Sequence, residues 1–347
     1  MLNKTQIEEI KEHLEKAQNP IFFYDNDADG LCSFIILRRF LGRGKGIAVR
    51  SYPDLNAQYA KRAQELNADY IFILDKPLVN KEFIDEVQKI NLPVVWLDHH
   101  LIQKEKEKFE NVHYYNPVEN KPSSSEPITY QAYKITNRKE DLWLAIIGCV
   151  ADHYMPDFAK DFAAEYPQFW ASNIKEPFDV LYKTEIGIIA RAFNFGLKNS
   201  VTNVVQMQNF IISCKGPEEI FTELSTNKSF RDKVQEIKEK YNVLLEKAKT
   251  QVQDNLLFFD YAGDLSISAD LSNELCYIYP DKYIAVAYMK GPITNISLRG
   301  KNVKKIIEKI LISLENASGG GHEDAVGSRI QTQDLAKFRE LLEKQIK

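Results

Sequence analysis

Four apolar runs in this chain end at or just before an acidic residue. Tyr70-Ile71-Phe72-Ile73-Leu74 runs into Asp75, Pro93-Val94-Val95-Trp96-Leu97 into Asp98, and Ile21-Phe22-Phe23-Tyr24 into Asp25; Ala145 to Val150 leads to Asp152. Short runs this rich in Ile, Val and aromatic residues read as strands buried on both faces. The last run reads as a helix that ends near Asp152. Helical patterns lie between the strands, and that alternation implies a parallel sheet covered by helices. In such a sheet, ligands bind beyond the carboxyl ends of the strands. Separate strand ends can therefore deliver Asp25, Asp27 and Asp29, Asp75, Asp98-His99-His100 and Asp152 to one crevice. Carboxylates crowded there repel one another unless cations sit between them. The economical reading is a site for two divalent cations.

The residue types suit that reading. Mn²⁺ and Mg²⁺ favour carboxylate oxygen, and Mn²⁺ also accepts imidazole nitrogen. Alternate residues of an extended segment point the same way, so Asp25, Asp27 and Asp29 are expected to share a direction. Gly30 allows a tight turn into the next helix, whose N-terminus favours an anion. Two adjacent cations can clamp the attacking and leaving oxygens of a phosphate ester.

Expected strands are 20–24, 46–50, 70–74, 93–97 and 112–115, with helices at 4–17, 30–42, 56–66, 80–90, 126–137 and 141–150. Residues 153–180, rich in aromatics and acids, are expected to form an insertion or a cap. Residues 201–250 look helical throughout. From about residue 255 the pattern changes to strands at 256–261, 283–289 and 295–299 and helices at 302–315 and 333–346. The expected domains are 1–195, a helical connector 196–254 that leaves open pairing with another subunit, and 255–347. The fold class is α/β: a parallel-sheet domain joined by the connector to a smaller α/β domain, with the active site in the cleft between them.

The formal net charge of −4 argues against a protein that coats long nucleic acids electrostatically, but bound cations would offset much of the acidic charge. Two basic groups stand out, Arg38, Arg39, Arg43, Lys45 and Arg50, and Arg299, Lys301, Lys304, Lys305 and Lys309. The first has a structural reading, as helix faces in solvent, alongside a functional one. Cys32, Cys149, Cys214 and Cys276 lack paired spacing, which fits reduced thiols in a cytoplasmic protein. No run reaches membrane-spanning length, and the first residues read as an amphipathic helix.

Taken together, the motifs resemble the DHH phosphoesterase family, whose name matches Asp98-His99-His100. The family's first motif is matched by Asp27-Ala28-Asp29-Gly30, its lone strand-end Asp by Asp75, and its later Gly–Asp pattern by Gly148 to Asp152. Gly319-Gly320-Gly321-His322, followed by Ala325 and Gly327, is similar to the DHH-associated C-terminal domain. The resemblance implies that Asp25, Asp27 and Asp75 hold one cation. Asp29, Asp75, His99 and Asp152 would hold the other, with Asp75 bridging. His100, with Asp98, is the implied catalytic pair, and His100 would meet the scissile phosphate. Arg299, Gly319, Gly320, Gly321 and His322 would bind the substrate.

Two departures stand out. Asp25 occupies a position where many archaeal relatives carry His and RecJ-like members carry Asp. Lys76 follows Asp75 where relatives often have His. The implied activity is Mn²⁺-dependent hydrolysis of single-stranded RNA or DNA or short oligonucleotides to mononucleotides, with Mg²⁺ as the alternative ion. Alternatives are a dinucleotide phosphodiesterase and a replisome scaffold or helicase-associated nuclease partner, and a replication or repair protein is the expected partner class.

Overall fold

The computed structural model describes residues 1–50, 54–101, 111–171 and 173–346. It divides into two compact units, Met1–Val234 and Gln235–Lys347. The first contains α1 (Lys4–Lys16), β1 (Pro20–Asp25), α2 (Ala28–Leu41), β2 (Lys45–Val49), β3 (Asp54–Leu55), α3 (Ala60–Glu65), β4 (Tyr70–Leu74), β5 (Leu78–Val79), α4 (Lys81–Lys89), β6 (Val94–Leu97) and β7 (Val112–Tyr115). It continues through α5 (Ile128–Thr136), α6 (Leu142–Ala151), α7 (Ala159–Glu165), α8 (Pro177–Lys183), α9 (Glu185–Gly196) and α10 (Val201–Ser213) into α11 (Lys228–Lys249).

The main sheet has the order β2-β1-β4-β6-β7, and every pairing in it is parallel. Its apolar runs are continuous because both faces are covered. Phe22, Tyr24, Phe72, Leu74, Val95 and Leu97 face one core, which also holds Leu31, Ile35, Trp143 and Ile147 from α2 and α6. The alternate residues Ile21, Phe23, Ile71, Ile73, Val94 and Trp96 face a second core with Phe83, Ile84 and Val87 of α4. Successive strand side chains point to opposite faces, so each run feeds both cores at once.

From β1 the chain goes to β2 on one side, and β4 then pairs with the other side of β1. Strand order therefore reverses between β1 and β4, the type of switch point at which open α/β sheets bind ligands. Tyr24 pairs with Leu74, and Leu74 with Leu97. Asp25, Asp75 and Asp98 are each one residue further on, so they stand in a row along one sheet edge.

Some expectations change. Asp25, Asp27 and Asp29 do not share an extended segment: Asp25 ends β1, Asp27 is the N-cap of α2, and Asp29 lies in the first turn of α2. Residues 201–250 are not one helical stretch, because α10 stops at Ser213 and Gly216-Pro217 begins a short 3₁₀ turn before α11. Proline has no N–H to continue a helix. The stretch expected to connect two domains contributes Val204, Met207, Phe210 and Ile211 of α10 to the first core. Within 153–180, Phe158 and Phe162 join the same core, and Phe158 stacks on Tyr130.

The second unit continues with β8 (Val252–Gln253), β9 (Leu256–Ala262), α12 (Ser268–Ile278), β10 (Tyr283–Lys290), β11 (Ile293–Arg299), α13 (Val303–Leu311), β12 (Ser318–Gly321), β13 (Ala325–Gln331) and α14 (Leu335–Gln345). Its mixed sheet has the order β12-β13-β11-β10-β9-β8. Val303, Ile307 and Ile310 of α13 and Phe338 and Leu342 of α14 pack against Ala285, Ala287, Ile296 and Leu298.

The glycine run is extended. Gly319 to Gly321 form an edge strand paired antiparallel with β13. Arg299 pairs with Ala325, whose carbonyl accepts from the backbone N–H of His322. The expected substrate-binding residues Arg299, Gly321 and His322 thus share one corner of this sheet.

Candidate metal centre

Asp25 ends β1 and makes an ion pair with Lys76, whose Nζ lies 2.9 Å from Asp25 Oδ1. The Lys76 side chain is wholly buried, while Asp25 keeps 26% of its exposure. Lys76, the departure from the family pattern after Asp75, thus reaches back to Asp25. Asp27 caps α2 by accepting from the Gly30 N–H at 2.9 Å. Gly30 is required because a Cβ there would overlap the carbonyl of Asp25.

Asp29 is buried, and both its carboxylate oxygens accept backbone N–H bonds from the first turn of α5, from Ile128 at 2.9 Å and Thr129 at 2.7 Å. The Thr129 hydroxyl donates back to the Asp29 carbonyl at 2.8 Å. Pro127, at the N-cap of α5, makes no side-chain cap of its own. Asp29 therefore supplies the missing acceptors for that helix end, a role that a partner about a hundred residues away hides from the sequence. Gly148 of α6 permits this packing, because a Cβ there would overlap the Thr129 hydroxyl. Gly148→Ala is expected to lower stability by about 1–3 kcal/mol through overpacking. Urea unfolding checks it, and an unchanged midpoint would show that Thr129 can move without cost.

Asp75 follows β4 with φ +59, a left-handed backbone rarely adopted by non-glycine residues. Such conformations persist where the surroundings over-determine them, often at functional sites. Its N–H extends the sheet by donating to the Leu97 carbonyl at 2.9 Å. Asp75 Oδ1 is buried and has no hydrogen-bond partner among the described residues. A buried carboxylate oxygen in that state needs a proton or a cation.

His99 Nδ1 faces the carbonyl of Ser125 at 3.2 Å. A carbonyl only accepts, so Nδ1 carries the hydrogen, and in the neutral ring the lone pair belongs to Nε2. That Nε2 lies 3.2 Å from Asp75 Oδ1 and 3.7 Å from Asp152 Oδ2. A lone pair aimed at two carboxylates is the arrangement a ligating histidine makes when a backbone carbonyl fixes its tautomer.

His100 Nδ1 lies 2.8 Å from Asp98 Oδ1. Tyr114 Oη and Asn116 Nδ2 reach the other Asp98 oxygen at 3.4 and 3.5 Å. Asp98 is fully buried, so what it presents to the site is its contact with His100. Asp152 is the C-cap of α6, with 38% of its side chain exposed.

Charge crowding is visible in the proton affinities. Burial, with the charges of Asp25 and Asp29 added, pushes the Asp27 carboxyl well above the usual carboxylate range. Burial and the charges of Asp29 and Asp27 do the same at Asp75. Asp152, partly open to solvent, is raised by burial to about 6. Burial opposes protonation of His99, but its contact with Asp75 and the charges of Asp152, Asp75 and Asp29 outweigh it and push the imidazole up.

Three overlapping groups can offer ligand atoms within 4.8 Å of one another: Asp25, Asp27 and Asp75; Asp29, His99 and Asp152; Asp75, His99 and His100. Asp75 and His99 link the groups. Hard oxygens with one imidazole nitrogen suit a divalent cation such as Mn²⁺, and the orphan Asp75 oxygen gives one a place to bind.

The four arginines of the first basic group are spent on structure. Arg38, Arg43 and Arg50 donate to backbone carbonyls, and Arg39 bonds the Ile212 and Cys214 carbonyls and pairs with buried Asp141. In the second unit, Arg299 Nε donates to Asn273 Oδ1 of α12 at 2.7 Å. Its Nη1 donates to the carbonyl of Leu298.

Residues 21–154 match the family model described as the DHH family, N-terminal domain, and residues 256–347 match the DHHA1 domain. Among curated proteins no sequence match is found. Solved structures share the fold at low identity. A DHH-domain protein, described as a member of a family of ribosomal proteins, has a TM-score of 0.68 at 15% identity, over 99% of this chain and 89% of its own. Exonuclease RecJ bound to manganese has 0.62 at 13%, over 98% and 92%. A pGpG-specific phosphodiesterase from Vibrio cholerae has 0.51 at 14%, over 95% and 99%.

Proposed function

This chain belongs to the DHH family of phosphoesterases with a C-terminal DHHA1 domain, and from that premise we propose that it is a phosphodiesterase that shortens single-stranded nucleic acid or short oligonucleotides to mononucleotides. The observation that carries the reading is the linked set of ligand groups around the buried Asp75 Oδ1, which faces His99 Nε2 and has no hydrogen bond among the described residues. Asp25, Asp27 and Asp75 would hold one divalent cation, and Asp29, Asp75, His99 and Asp152 the other. Mn²⁺ is favoured over Mg²⁺ because of the imidazole ligand. When bound, the cations supply charge stabilisation to the phosphoryl oxygens and lower the pKa of a water.

The chain's own residues do the rest. Asp98 accepts the Nδ1 hydrogen of His100 and fixes the ring, so Nε2 is the nitrogen that would meet a phosphate oxygen or the leaving oxygen. The Asp29 bonds to α5 hold that carboxylate in one orientation. In the second unit, Asn273 holds Arg299, whose planar fork suits phosphate, beside the exposed edge strand Gly319 to Gly321 and His322. Only glycine lets a phosphate approach such a backbone closely.

The test is hydrolysis of end-labelled single-stranded RNA and DNA, from dinucleotides to longer oligomers, in Mn²⁺, with Asp27→Ala as control. Stepwise shortening lost in the variant is expected, and the label position gives polarity. Cleavage of dinucleotides alone would replace the exonuclease reading by a dinucleotide phosphodiesterase. No hydrolysis of any substrate by metal-loaded protein would overturn both and favour a scaffold.

A further inference from the structure

Lys76 changes what the centre can hold. Its ammonium is a buried full charge 2.9 Å from an oxygen of Asp25. Its backbone is pinned, because the Trp96 indole N–H donates to the Lys76 carbonyl at 2.8 Å. The ammonium cannot swing into solvent without breaking a part-buried pair. The two halves of the centre are therefore unequal before any ion arrives. The Asp25–Asp27–Asp75 half already contains a cation against one of its carboxylates. In the Asp29–His99–Asp152 half no lysine or arginine pairs with a carboxylate among the described residues: Asp29 accepts the backbone N–H groups of Ile128 and Thr129, and His99, whose proton an ion can displace, offers a nitrogen donor. A divalent ion on Asp25 would sit within a few ångströms of Nζ, and like charges that close repel strongly.

We propose that Lys76 is an internal counter-cation for Asp25 that grades the metal centre: the Asp29–His99–Asp152 half keeps its ion, and the Asp25–Asp27–Asp75 half takes its ion last and loses it first. The graded half is then completed mainly when a substrate phosphate adds negative charge against the ammonium. This rests on the phosphodiesterase reading above, and it adds that the second cation is an exchangeable partner of the substrate rather than a resident.

The experiment is Mn²⁺ titration of the full chain by calorimetry, with metal content counted after desalting, for wild type, Lys76→Met and Lys76→Arg. Wild type is expected to keep a single ion through desalting and to bind the second at least about tenfold more weakly. Lys76→Met is expected to tighten the second ion by about tenfold or more, and Lys76→Arg to leave it weak. Lys76→Gln provides a second neutral variant should the methionine form fail to fold by circular dichroism. Two ions of equal affinity in wild type, or a second ion unchanged in the neutral variants, would overturn the proposal and leave the phosphodiesterase reading standing. No ion bound by folded wild type would remove the metal centre itself, and with it both readings.

Discussion

His100→Ala is expected to lower phosphodiester hydrolysis by about 10²–10⁴-fold, the usual cost of losing a positioned acid or base, while leaving Mn²⁺ binding intact. The ring is only 27% exposed, and the 2.8 Å bond from Nδ1 to Asp98 is an orienting bond. Asp98→Asn tests the same unit from behind. The carboxylate accepts from His100 on one oxygen and from Tyr114 and Asn116 on the other. An amide cannot accept on both sides, so one of its N–H groups must face a donor or turn toward His100 Nδ1. The turned form demands the other tautomer of His100. Asp98→Asn should therefore lose much of the same factor in kcat with little change in KM, and Asp98→Glu should recover part of it. Because His100 also lies in a possible ligand group with Asp75 and His99, the metal readout matters. If His100→Ala released an ion, the histidine would be a ligand, and its assigned role against the phosphate would be wrong.

The parts of this centre that were legible in the sequence are those set by local pattern. Apolar runs that end at Asp25, Asp75 and Asp98 announce parallel strands with acids beyond their carboxyl ends, and β1, β4 and β6 fall within a residue of the expected bounds. The alternation in Ala325–Gln331, where Val326, Ser328 and Ile330 are buried, was an available signal for β13 that was passed over. Hidden features depend on partners distant in the chain. Nothing near Asp29 says that it caps a helix starting at Ile128, and nothing near Lys76 says that its ammonium reaches back to Asp25. The conformation of the glycine run was hidden in the same way, because it is pairing with β13 that makes it an edge strand. A Cβ at Gly320 would meet nothing, whereas one at Gly319 would crowd the Gly327 carbonyl and one at Gly321 the Ala325 carbonyl.

Removing divalent ions is expected to make the folded protein less stable as pH rises, and adding Mn²⁺ should cancel that slope. The sign follows from the crowded carboxyls. Asp27 and Asp75 are raised well above the usual range, mainly by burial, and Asp152 to about 6. A raised carboxyl pKa means that the folded state holds its proton more tightly than the unfolded chain. The stability it contributes is complete below the unfolded value near pH 4 and is lost as pH climbs through the folded value. His99, also raised, adds in the same direction: its contribution is complete below the unfolded value near 6.5 and is lost above it. Chelated protein should therefore melt at a lower temperature at pH 8 than at pH 5.5. Mn²⁺ at about a hundred times its dissociation constant adds roughly 2.7 kcal/mol, or several degrees. Its benefit should be larger at pH 8, where protons no longer compete for the ligands. Asp152→Asn isolates the site from other titrating groups: without a carboxylate there, the chelated protein should lose part of the slope and gain stability at pH 8. Asp29→Ala should behave oppositely, because it leaves the N–H groups of Ile128 and Thr129 buried without acceptors, at a cost of about 1–3 kcal/mol each. The two aspartates carry the same charge a few ångströms apart. If both variants stabilised the chelated protein equally, repulsion alone would govern the centre, and the capping role of Asp29 would fall.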